Sequence, residues 1–392
     1  MHHFSFARQP ILDLDLKVYG YEFLYRPNVQ TSENSHSITS EVLASSIIDL
    51  GLDKASNDKF AFINMSYEDI MSEHVESLPA DRLILELLED IKPDPVFIQR
   101  ISSLQQKGFS FALDDFIYTS DWDPLIEMAS IIKFDLTTTT LKENKALIQK
   151  LRTQNISFLA EKVETHEDFK AYRDIGCQLF QGYFFCKPEH IQGKATNASS
   201  NSKAQLLSTI NQPNITFEEL EKSIQQDPTT TYMLLKYLNS AHFAFSKRIE
   251  SIKQALIFLG LENVKKWATL ITLRNMSSKP SELLRVSLLR AKIAELIAVK
   301  NKLPNTSGFF LTGLLSTIDA LLDTTMETII PTMSLASDIS AALLKRQGIM
   351  GETLTAITEY EAQRSPANAT DISDAYIEAC QWTDQVLGAF GA

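Results

Sequence analysis

The chain of 392 residues is poor in cysteine and histidine and has no long apolar run. Its three cysteines, Cys177, Cys186 and Cys380, lack the paired spacing of a metal motif. We therefore predict reduced thiols in a cytosolic protein. No apolar run approaches the roughly 18 residues of a membrane helix. The N-terminus, MHHFSFARQPILDLDLK, has the pattern of neither a signal nor a transit peptide. We expect a cytoplasmic chain without membrane insertion.

Positive charge is also scarce. The chain has 37 Lys and Arg against 49 Asp and Glu, which gives a net charge of −12. This balance argues against a nucleic-acid partner held by a broad basic face, although it is compatible with a local basic pocket for a small anion. The 44% hydrophobic and 22% charged content is that of an ordinary globular protein. The length predicts two or three domains.

Up to about residue 188, short β-rich runs alternate with helical stretches, one of them over residues 38–50. This alternation predicts βαβ units, and seven or eight units indicate a closed barrel. Only residues 13–17 join the first two runs. Because this is too short for a parallel crossover, we predict an antiparallel first pair. The runs are FSFARQPIL, VYGYEFLYR, KFAFINMS, LILELLE, FSFALDDF, IIKFDL, ISFLAEKVE and QLFQGYFF.

Beyond the barrel the strand signal largely disappears. Residues 191–203 are small and polar, and we predict a linker there. Thr216 and Glu219 have the spacing of a capping box. We predict an all-α region with helices around residues 229–240, 251–260, 262–275, 281–300, 306–323, 334–347 and 368–389. The proposed division is therefore a barrel over residues 1–190, the linker, and a helical domain over 204–392.

Polar side chains stand at the ends of the predicted strands. In a parallel barrel the carboxyl ends of all strands meet at one rim, so separate strands deliver groups to one site. A single acid at a strand end is usually solvated or caps a helix, and it is the joint pattern over several strands that indicates a site. Carboxylate and amide oxygens suit Mg²⁺ or Mn²⁺. Two such ions could activate water and neutralise a phosphate. The residues are Glu22, Asn64, Glu86, Asp114, Asp115, Lys133, Asp135, Glu161 and Gln181.

The succession EFLYR, FINMS, ELLE, LDDF, KFD, AEKVE and QGYFF resembles the EAL domain over residues 4–188. The resemblance implies a modified TIM (β/α)8 barrel with one antiparallel strand. It also implies divalent-metal-dependent hydrolysis of cyclic di-GMP to linear pGpG, with Mg²⁺ or Mn²⁺ as cofactor and cyclic di-GMP as ligand.

Residue roles follow from this resemblance. Lys133 resembles the lysine that holds the attacking water or a phosphate, and Glu161 resembles the general base. Arg26 matches an arginine that contacts a ligand phosphate. The implied metal ligands are Glu22, Asn64, Glu86, Asp114 and Asp115. The implied ligand-binding residues are Arg26, Gln9, Asp135, Glu164 and Gln181.

Several positions depart from the EAL pattern. Residues 116–122, FIYTSDW, replace a glycine-rich loop that in the family orders the second metal and couples the site to dimerisation. Lys162 stands where glycine is expected after the base, Phe23 replaces the alanine of the signature, and Leu88 replaces a threonine. Formation of a homodimer is therefore left open, and ligand binding is a safer prediction than turnover.

The second half resembles the HDOD domain over about residues 203–390. The matching segments are Leu238-Asn239-Ser240, Ile249 to Ser251 and Ala255 to Gly260. HDOD domains are all-α relatives of HD-type phosphohydrolases, generally without the metal-binding residues. Periodicity alone interprets Asn239 and Ser240 as a helix end and cap.

Catalysis in the helical half has little support. His242 is the single histidine after residue 191, and Ser316 and Thr317 occupy the place where HD relatives carry a His-Asp pair. We predict no metal chemistry there. The resemblance implies a regulatory or interaction domain that can bind a signalling protein.

Two functions stay open at this point. In the first, the barrel is a cyclic di-GMP phosphodiesterase regulated by the helical domain, as the joint retention of the acidic positions and Lys133 favours. In the second, a weak or inactive barrel serves as a cyclic di-GMP receptor or protein-interaction scaffold. The altered loop 116–122 and Lys162 favour this second function.

Overall fold

The computed structural model describes residues 5–26, 56, 58–187, 198–239, 249–276, 279–362, 366 and 369–390. The chain divides into two compact units, Met1–Phe184 and Phe185–Ala392. The helix predicted over residues 38–50 lies outside the described residues. The domain boundaries proposed from sequence stay a prediction.

The first unit is a closed eight-stranded barrel in which the strands follow one another in sequence order. β1 is antiparallel to both β2 and β8, and the other neighbours are parallel. The predicted barrel with one antiparallel strand is confirmed. The strands are β1 Ser5–Leu12, β2 Val18–Arg26, β3 Phe60–Met65, β4 Leu83–Leu87, β5 Ser110–Leu113, β6 Ile131–Asp135, β7 Ser157–Glu161 and β8 Leu179–Gln181.

The antiparallel pair follows from its short connection. The Asp13 carboxylate accepts hydrogen bonds from the backbone N–H groups of Asp15 and Lys17, both at 2.9 Å. The Asp13 N–H in turn donates to the Lys17 carbonyl at 2.9 Å. A tight turn of this kind reverses the chain, whereas a parallel connection needs a crossover of a dozen residues or more.

Short helices connect the parallel strands. Three of them begin with capping boxes, Ser66 with Asp69, Thr140 with Glu143 and Thr165 with Asp168, which satisfy backbone N–H groups after β3, β6 and β7. Among the described residues, the barrel helices are α1 Tyr67–Met71, α2 Pro95–Gln106, α3 Asp123–Ile126, α4 Leu141–Leu151 and α5 His166–Ile175. The 3₁₀ helices are Glu73–Ser77, Ser120–Trp122 and Phe184–Cys186.

One end of the barrel interior is filled by a layer of apolar side chains. Every strand except β2 contributes one, and each is at most 4% exposed. Alternation along the strands points every second residue inward. On each parallel strand that contributes to this layer, the residue two positions after the layer residue also points inward. That residue therefore lies at the carboxyl-terminal rim of the barrel. The layer consists of Ile11, Phe62, Ile84, Ala112, Ile131, Leu159 and Leu179.

In the part that the structure describes, the second unit is all-α, as predicted. Its helices are α6 Ala198–Ile210, α7 Phe217–Gln225, α8 Pro228–Leu238, α9 Ile252–Leu259, α10 Leu261–Met276, α11 Ser281–Lys300, α12 Thr306–Leu314, α13 Ile318–Leu322, α14 Met326–Ile329, α15 Ser337–Lys345, α16 Gly348–Glu361 and α17 Ala369–Phe390. Its 3₁₀ helices are Leu315–Thr317 and Ile330–Met333. The capping box of Thr216 and Glu219 is present.

The helical unit also departs from the predictions, and α14 with the 3₁₀ helix Ile330–Met333 falls between the predicted segments. Residues 198–203 are helical rather than part of a linker, because α6, whose Leu207 and Ile210 are buried, extends back through small residues. The segment predicted as one helix over 306–323 is broken by a 3₁₀ turn. Helix α16 was missed, since glycines stand in its first turn. A Cβ at Gly351 would lie 2.3 Å from the backbone carbon of Arg346, so this close approach requires glycine.

Within the part of the chain that the structure describes, no single helix has the length and apolar character of a membrane span. One bent pair, Thr306–Leu322 with Met326–Met333, passes the same test only when its parts, which meet at 107°, are counted together.

Candidate functional site

The rim of the barrel gathers one polar side chain from each of the eight strands. On seven strands this residue lies two positions from the inward apolar residue of the layer, and on β2 Glu22 lies two positions beyond Gly20, so the barrel twist brings all eight toward one centre. Asp114 directly follows β5, and its N–H donates to the Leu87 carbonyl of β4 at 3.0 Å. The eight residues are Gln9, Glu22, Asn64, Glu86, Asp114, Lys133, Glu161 and Gln181.

Lys133 lies at the centre of the acidic residues. Its Nζ is 2.5 Å from Glu86 Oε1, 2.7 Å from Asp114 Oδ1 and 2.8 Å from Glu161 Oε1. Glu22 Oε1 lies 4.0 Å away. The lysine side chain is 1% exposed and none of the four carboxylates exceeds 13%. One ammonium therefore offsets four nearly buried acids, which leaves a deficit of positive charge.

Burial and the excess of acids shift the pKa of Glu161, Glu86 and Lys133. Burial, followed by the neighbouring acids, raises the pKa of Glu161 to about 8 against the opposing effect of Lys133. Burial likewise raises the pKa of Glu86 well above its usual range. Burial lowers the pKa of Lys133, but Asp114, Glu161, Glu22 and Glu86 outweigh it and raise that pKa well above its usual range. Lys133 is thus positively charged, and its single charge is shared among several carboxylates.

Amide groups fix the orientation of Glu22. Asn64 Nδ2 donates to Glu22 Oε1 at 3.3 Å, and Gln181 Nε2 donates to Glu22 Oε2. The same Gln181 nitrogen lies 3.1 Å from Gln9 Oε1, which joins β1 to the arrangement. The predicted positions Gln9, Asn64 and Gln181 are therefore in contact with the acidic cluster through Glu22.

Several oxygens of the rim are buried without a hydrogen-bond donor among the described residues. Asn64 Oδ1, Glu86 Oε2 and Gln181 Oε1 have none, and Asp114 Oδ1 meets Lys133 only as an ion pair outside hydrogen-bond geometry. Glu86 Oε1 likewise meets Lys133 only as an ion pair outside hydrogen-bond geometry. A buried acceptor left without a partner costs free energy. Since oxygens of this type are the ligands of hard divalent cations, the residues present fit such an ion.

A second acidic group overlaps the acids around Lys133, because it shares Asp114 and Glu161 with them. One ligand oxygen from each of Asp114, Asp115 and Glu161 lies within 4.8 Å of the other two, which is close enough to share a cation. Asp115 has φ of +41°, and this backbone turn follows the inward-facing Asp114. Burial and then Asp114 raise the pKa of Asp115. The structure thus brings both of the adjacent aspartates together with Glu161, and their predicted role as ligands stays a prediction.

Asp135 lies on the inward face of β6, two residues beyond Lys133 on the strand, and is 1% exposed. Its Oδ1 accepts hydrogen bonds from the Thr137 N–H at 2.6 Å and the Thr137 hydroxyl at 2.7 Å. Its Oδ2 accepts one from Lys162 Nζ. Burial raises the pKa of Asp135, but the bonds from Lys162 and Thr137 prevail and lower it.

Sequence reasoning missed the role of Thr137 and treated Lys162 only as a departure from the family. A threonine two residues after an aspartate at a strand end is a local turn signal that identifies the Thr137 contact. The pairing of Lys162 with Asp135 joins the ends of two strands, and no local pattern indicates it.

Two predicted ligand-binding residues are not brought into the cluster by the described contacts. Glu164 is exposed on the loop after β7. Arg26 is the last residue of β2, opposite Ser5 of β1, and its side chain lies outside the described part. Their predicted roles stay predictions.

The helical unit has its own buried charges. Arg290 forms hydrogen bonds with Glu361 at 2.6–3.0 Å and lies 3.3 Å from the Ser316 hydroxyl. Thr317 pairs with the Ser287 hydroxyl. Ser316 and Thr317, at the place where HD relatives carry a His-Asp pair, thus present neutral hydroxyl groups. The Ser316 hydroxyl lies against Arg290.

Asn239 ends a helix, as its place in the helical periodicity predicted. It is the C-cap of α8, and its Nδ2 donates to the carbonyls of Leu235 and Ile249, both at 2.7 Å. Its Oδ1 accepts from the Ile249 N–H at 2.8 Å. Ser240 and His242 lie outside the described residues.

Comparison with known proteins follows the same division of the chain. The family model of the EAL domain matches residues 2–188, and that of the HDOD domain matches residues 199–346. The chain is 33% identical over 405 aligned positions to the uncharacterized protein YuxH of Bacillus subtilis, with 98% of each chain covered. It is 31% identical to the cyclic di-GMP phosphodiesterase CdgJ of Vibrio cholerae, over 89% of this chain and 82% of the relative.

Among solved structures, the Bacillus subtilis YkuI protein, with an EAL domain and in complex with cyclic di-GMP and calcium, is 17% identical. The match covers 66% of this chain and 73% of that one, with a TM-score of 0.40.

Proposed function

Because the chain belongs to the family of proteins that join an EAL domain to an HDOD domain, we propose that its barrel hydrolyses cyclic di-GMP to linear pGpG. The family membership supports a role in cyclic di-GMP signalling. The name of the Vibrio cholerae relative supports the reaction. The helical domain, in this proposal, regulates the barrel or binds a signalling protein.

The observation that carries this proposal is the set of carboxylates converging on Lys133 at 2.5–2.8 Å, with buried acceptor oxygens left unsatisfied beside them. A phosphodiester carries negative charge and would be repelled by this set without cations. Bound Mg²⁺ or Mn²⁺ would neutralise that charge and acidify a coordinated water. The proposed ligands are Glu22, Asn64, Glu86, Asp114 and Asp115.

The other rim residues perform the remaining tasks of the reaction. Glu161, which is 2.8 Å from Lys133, accepts the proton of the attacking water as general base. Lys133 orients that water and offsets charge on the phosphate. Gln181 and Asn64 hold Glu22 in one orientation through their amide hydrogen bonds. Arg26 provides a fork suited to two phosphate oxygens.

A second candidate is a receptor that binds cyclic di-GMP with little or no turnover. The observation that favours it is Lys162, whose ammonium binds Asp135 beside the predicted base. The altered segment 116–122 also favours it, because this segment follows Asp115 directly. Both candidates use the same binding site and differ only in turnover.

The test compares the native protein with Glu161→Gln, in Mg²⁺ or Mn²⁺, by chromatography of cyclic di-GMP and pGpG. We expect the native protein to form pGpG and the variant to be slower by about a hundredfold or more, as for loss of a general base. Glu167→Gln, an exposed acid on α5, is the matched control and is expected to retain turnover.

Ligand binding separates the two candidates. Calorimetry is expected to show that Glu161→Gln retains cyclic di-GMP binding within a few fold of the native protein. Binding by the native protein without any pGpG selects the receptor. Neither binding nor product would contradict both candidates.

A further inference from the structure

Lys162, the residue after the predicted general base Glu161, is positively charged and has an unusual backbone conformation. Lys162 has φ of +55°, in the left-handed region that glycine adopts most easily. A lysine there is disfavoured, yet its Nζ donates a hydrogen bond to Asp135 Oδ2. The side chain as a whole is 55% exposed. The ammonium is therefore anchored at the rim of the acidic site rather than extended into solvent.

Asp135 is built to hold this ammonium. Its carboxylate is 1% exposed, and Thr137 donates two hydrogen bonds to Oδ1 at 2.6 and 2.7 Å. Oδ2 is left for Lys162. Both carboxylate oxygens of Asp135 therefore accept hydrogen bonds. We expect Asp135 to bind Lys162 and not a divalent cation.

The anchored charge lies next to the second acidic group. Asp135 is the register partner of Glu161 across β6 and β7, and Lys162 follows Glu161 directly. Glu161 belongs to the group whose oxygens lie within 4.8 Å of one another, together with Asp114 and Asp115. Burial lowers the pKa of Lys162, but Asp135, Asp115 and Glu161 raise it, as expected for an ammonium near these acids.

We propose that Lys162 takes the place of one divalent cation. Its ammonium, anchored by Asp135, supplies positive charge at the group of Asp114, Asp115 and Glu161 and weakens cation binding there by like-charge repulsion. The chain then holds one tightly bound divalent cation, at the end of the site formed by Glu22, Asn64 and Glu86. This inference rests on the cation site of the proposed function.

The test counts Mn²⁺ ions bound to the metal-free, full-length protein by electron paramagnetic resonance and calorimetry, without nucleotide. The native protein is expected to bind one Mn²⁺ tightly. Lys162→Met is expected to bind a second Mn²⁺ at least about tenfold more tightly than the native protein does, because an adjacent positive charge has been removed. Lys162→Gly, which suits the left-handed backbone, is expected to behave like Lys162→Met.

Two controls separate charge from other effects. Lys162→Arg retains the charge and is expected to match the native protein. Lys145→Met removes an exposed lysine from α4 and changes the net charge equally, so it is also expected to match. Second-site affinity that is the same in native protein, Lys162→Met and Lys162→Gly would overturn the inference while leaving the first cation site intact. Absence of any tight Mn²⁺ in all variants would instead contradict the cation site of the proposed function.

Discussion

Replacing Lys133 by methionine removes an ammonium that lies within 2.8 Å of three carboxylates, of which Glu86 and Glu161 are buried and Asp114 is half-buried. At about 2.7 Å and an effective dielectric constant of about 20, one such pair is worth roughly 6 kcal/mol before desolvation is counted. Loss of the buried ammonium relieves its own desolvation cost, and acids without a partner can take up protons. The expected net loss is therefore about 3–5 kcal/mol in the free energy of opening the barrel, the range for breaking a buried ion pair.

Amide hydrogen exchange read by mass spectrometry measures this loss locally, on the peptides that contain β4, β6 and β7. The protein is kept free of divalent cations with a chelator. Lys145→Met on α4 makes the same substitution at an exposed lysine and is expected to change the opening free energy by less than about 0.5 kcal/mol. Adding Mn²⁺ is expected to restore part of the protection in Lys133→Met, since the cation supplies the missing charge.

A loss below about 1 kcal/mol in these strands would refute the reasoning. It would mean that the contacts of 2.5–2.8 Å do not balance the buried acids and that the site is satisfied in another way. Equal losses in Lys133→Met and Lys145→Met would lead to the same conclusion.

Two further predictions concern stability. Gly182→Ala is expected to cost more than about 3 kcal/mol, because its Cβ would lie 2.1 Å from the Val163 carbonyl oxygen at a φ of +145°; an unchanged urea midpoint would contradict this steric argument. In the helical unit, Arg290→Met is expected to cost about 3–5 kcal/mol by leaving Glu361 buried and unpaired. Arg290→Met combined with Glu361→Met is expected to cost less than the sum of the single changes in thermal unfolding, and strict additivity would argue against their coupling.

Much of the barrel was predictable because its signals are local. Alternating apolar runs identified the strands, and the five-residue connection at Asp13 to Lys17 required the antiparallel start. The polar residue at each strand end pointed to a common rim, since side chains alternate along a strand and parallel strands end together. The convergence of these residues on one site required only the barrel closure as an added assumption.

Other features depended on contacts that no local pattern specifies. The helix α16 begins with glycines and was missed, although the close approach of Gly351 to Arg346 requires one of them. The sequence also did not indicate that one ammonium, Lys133, would contact Glu86, Asp114 and Glu161 at once. Such sharing depends on side-chain directions from four strands.

The sequence by itself determined which residue types stand at the rim and that they face inward, because strand periodicity and parity are properties of the chain. Only the tertiary structure decided how their charges are distributed. Burial removed water from the acids, barrel closure placed Lys133 among them, and the register of β6 with β7 brought Lys162 to Asp135. Charge balance depends on distance and desolvation, and both arise only when distant parts of the chain meet.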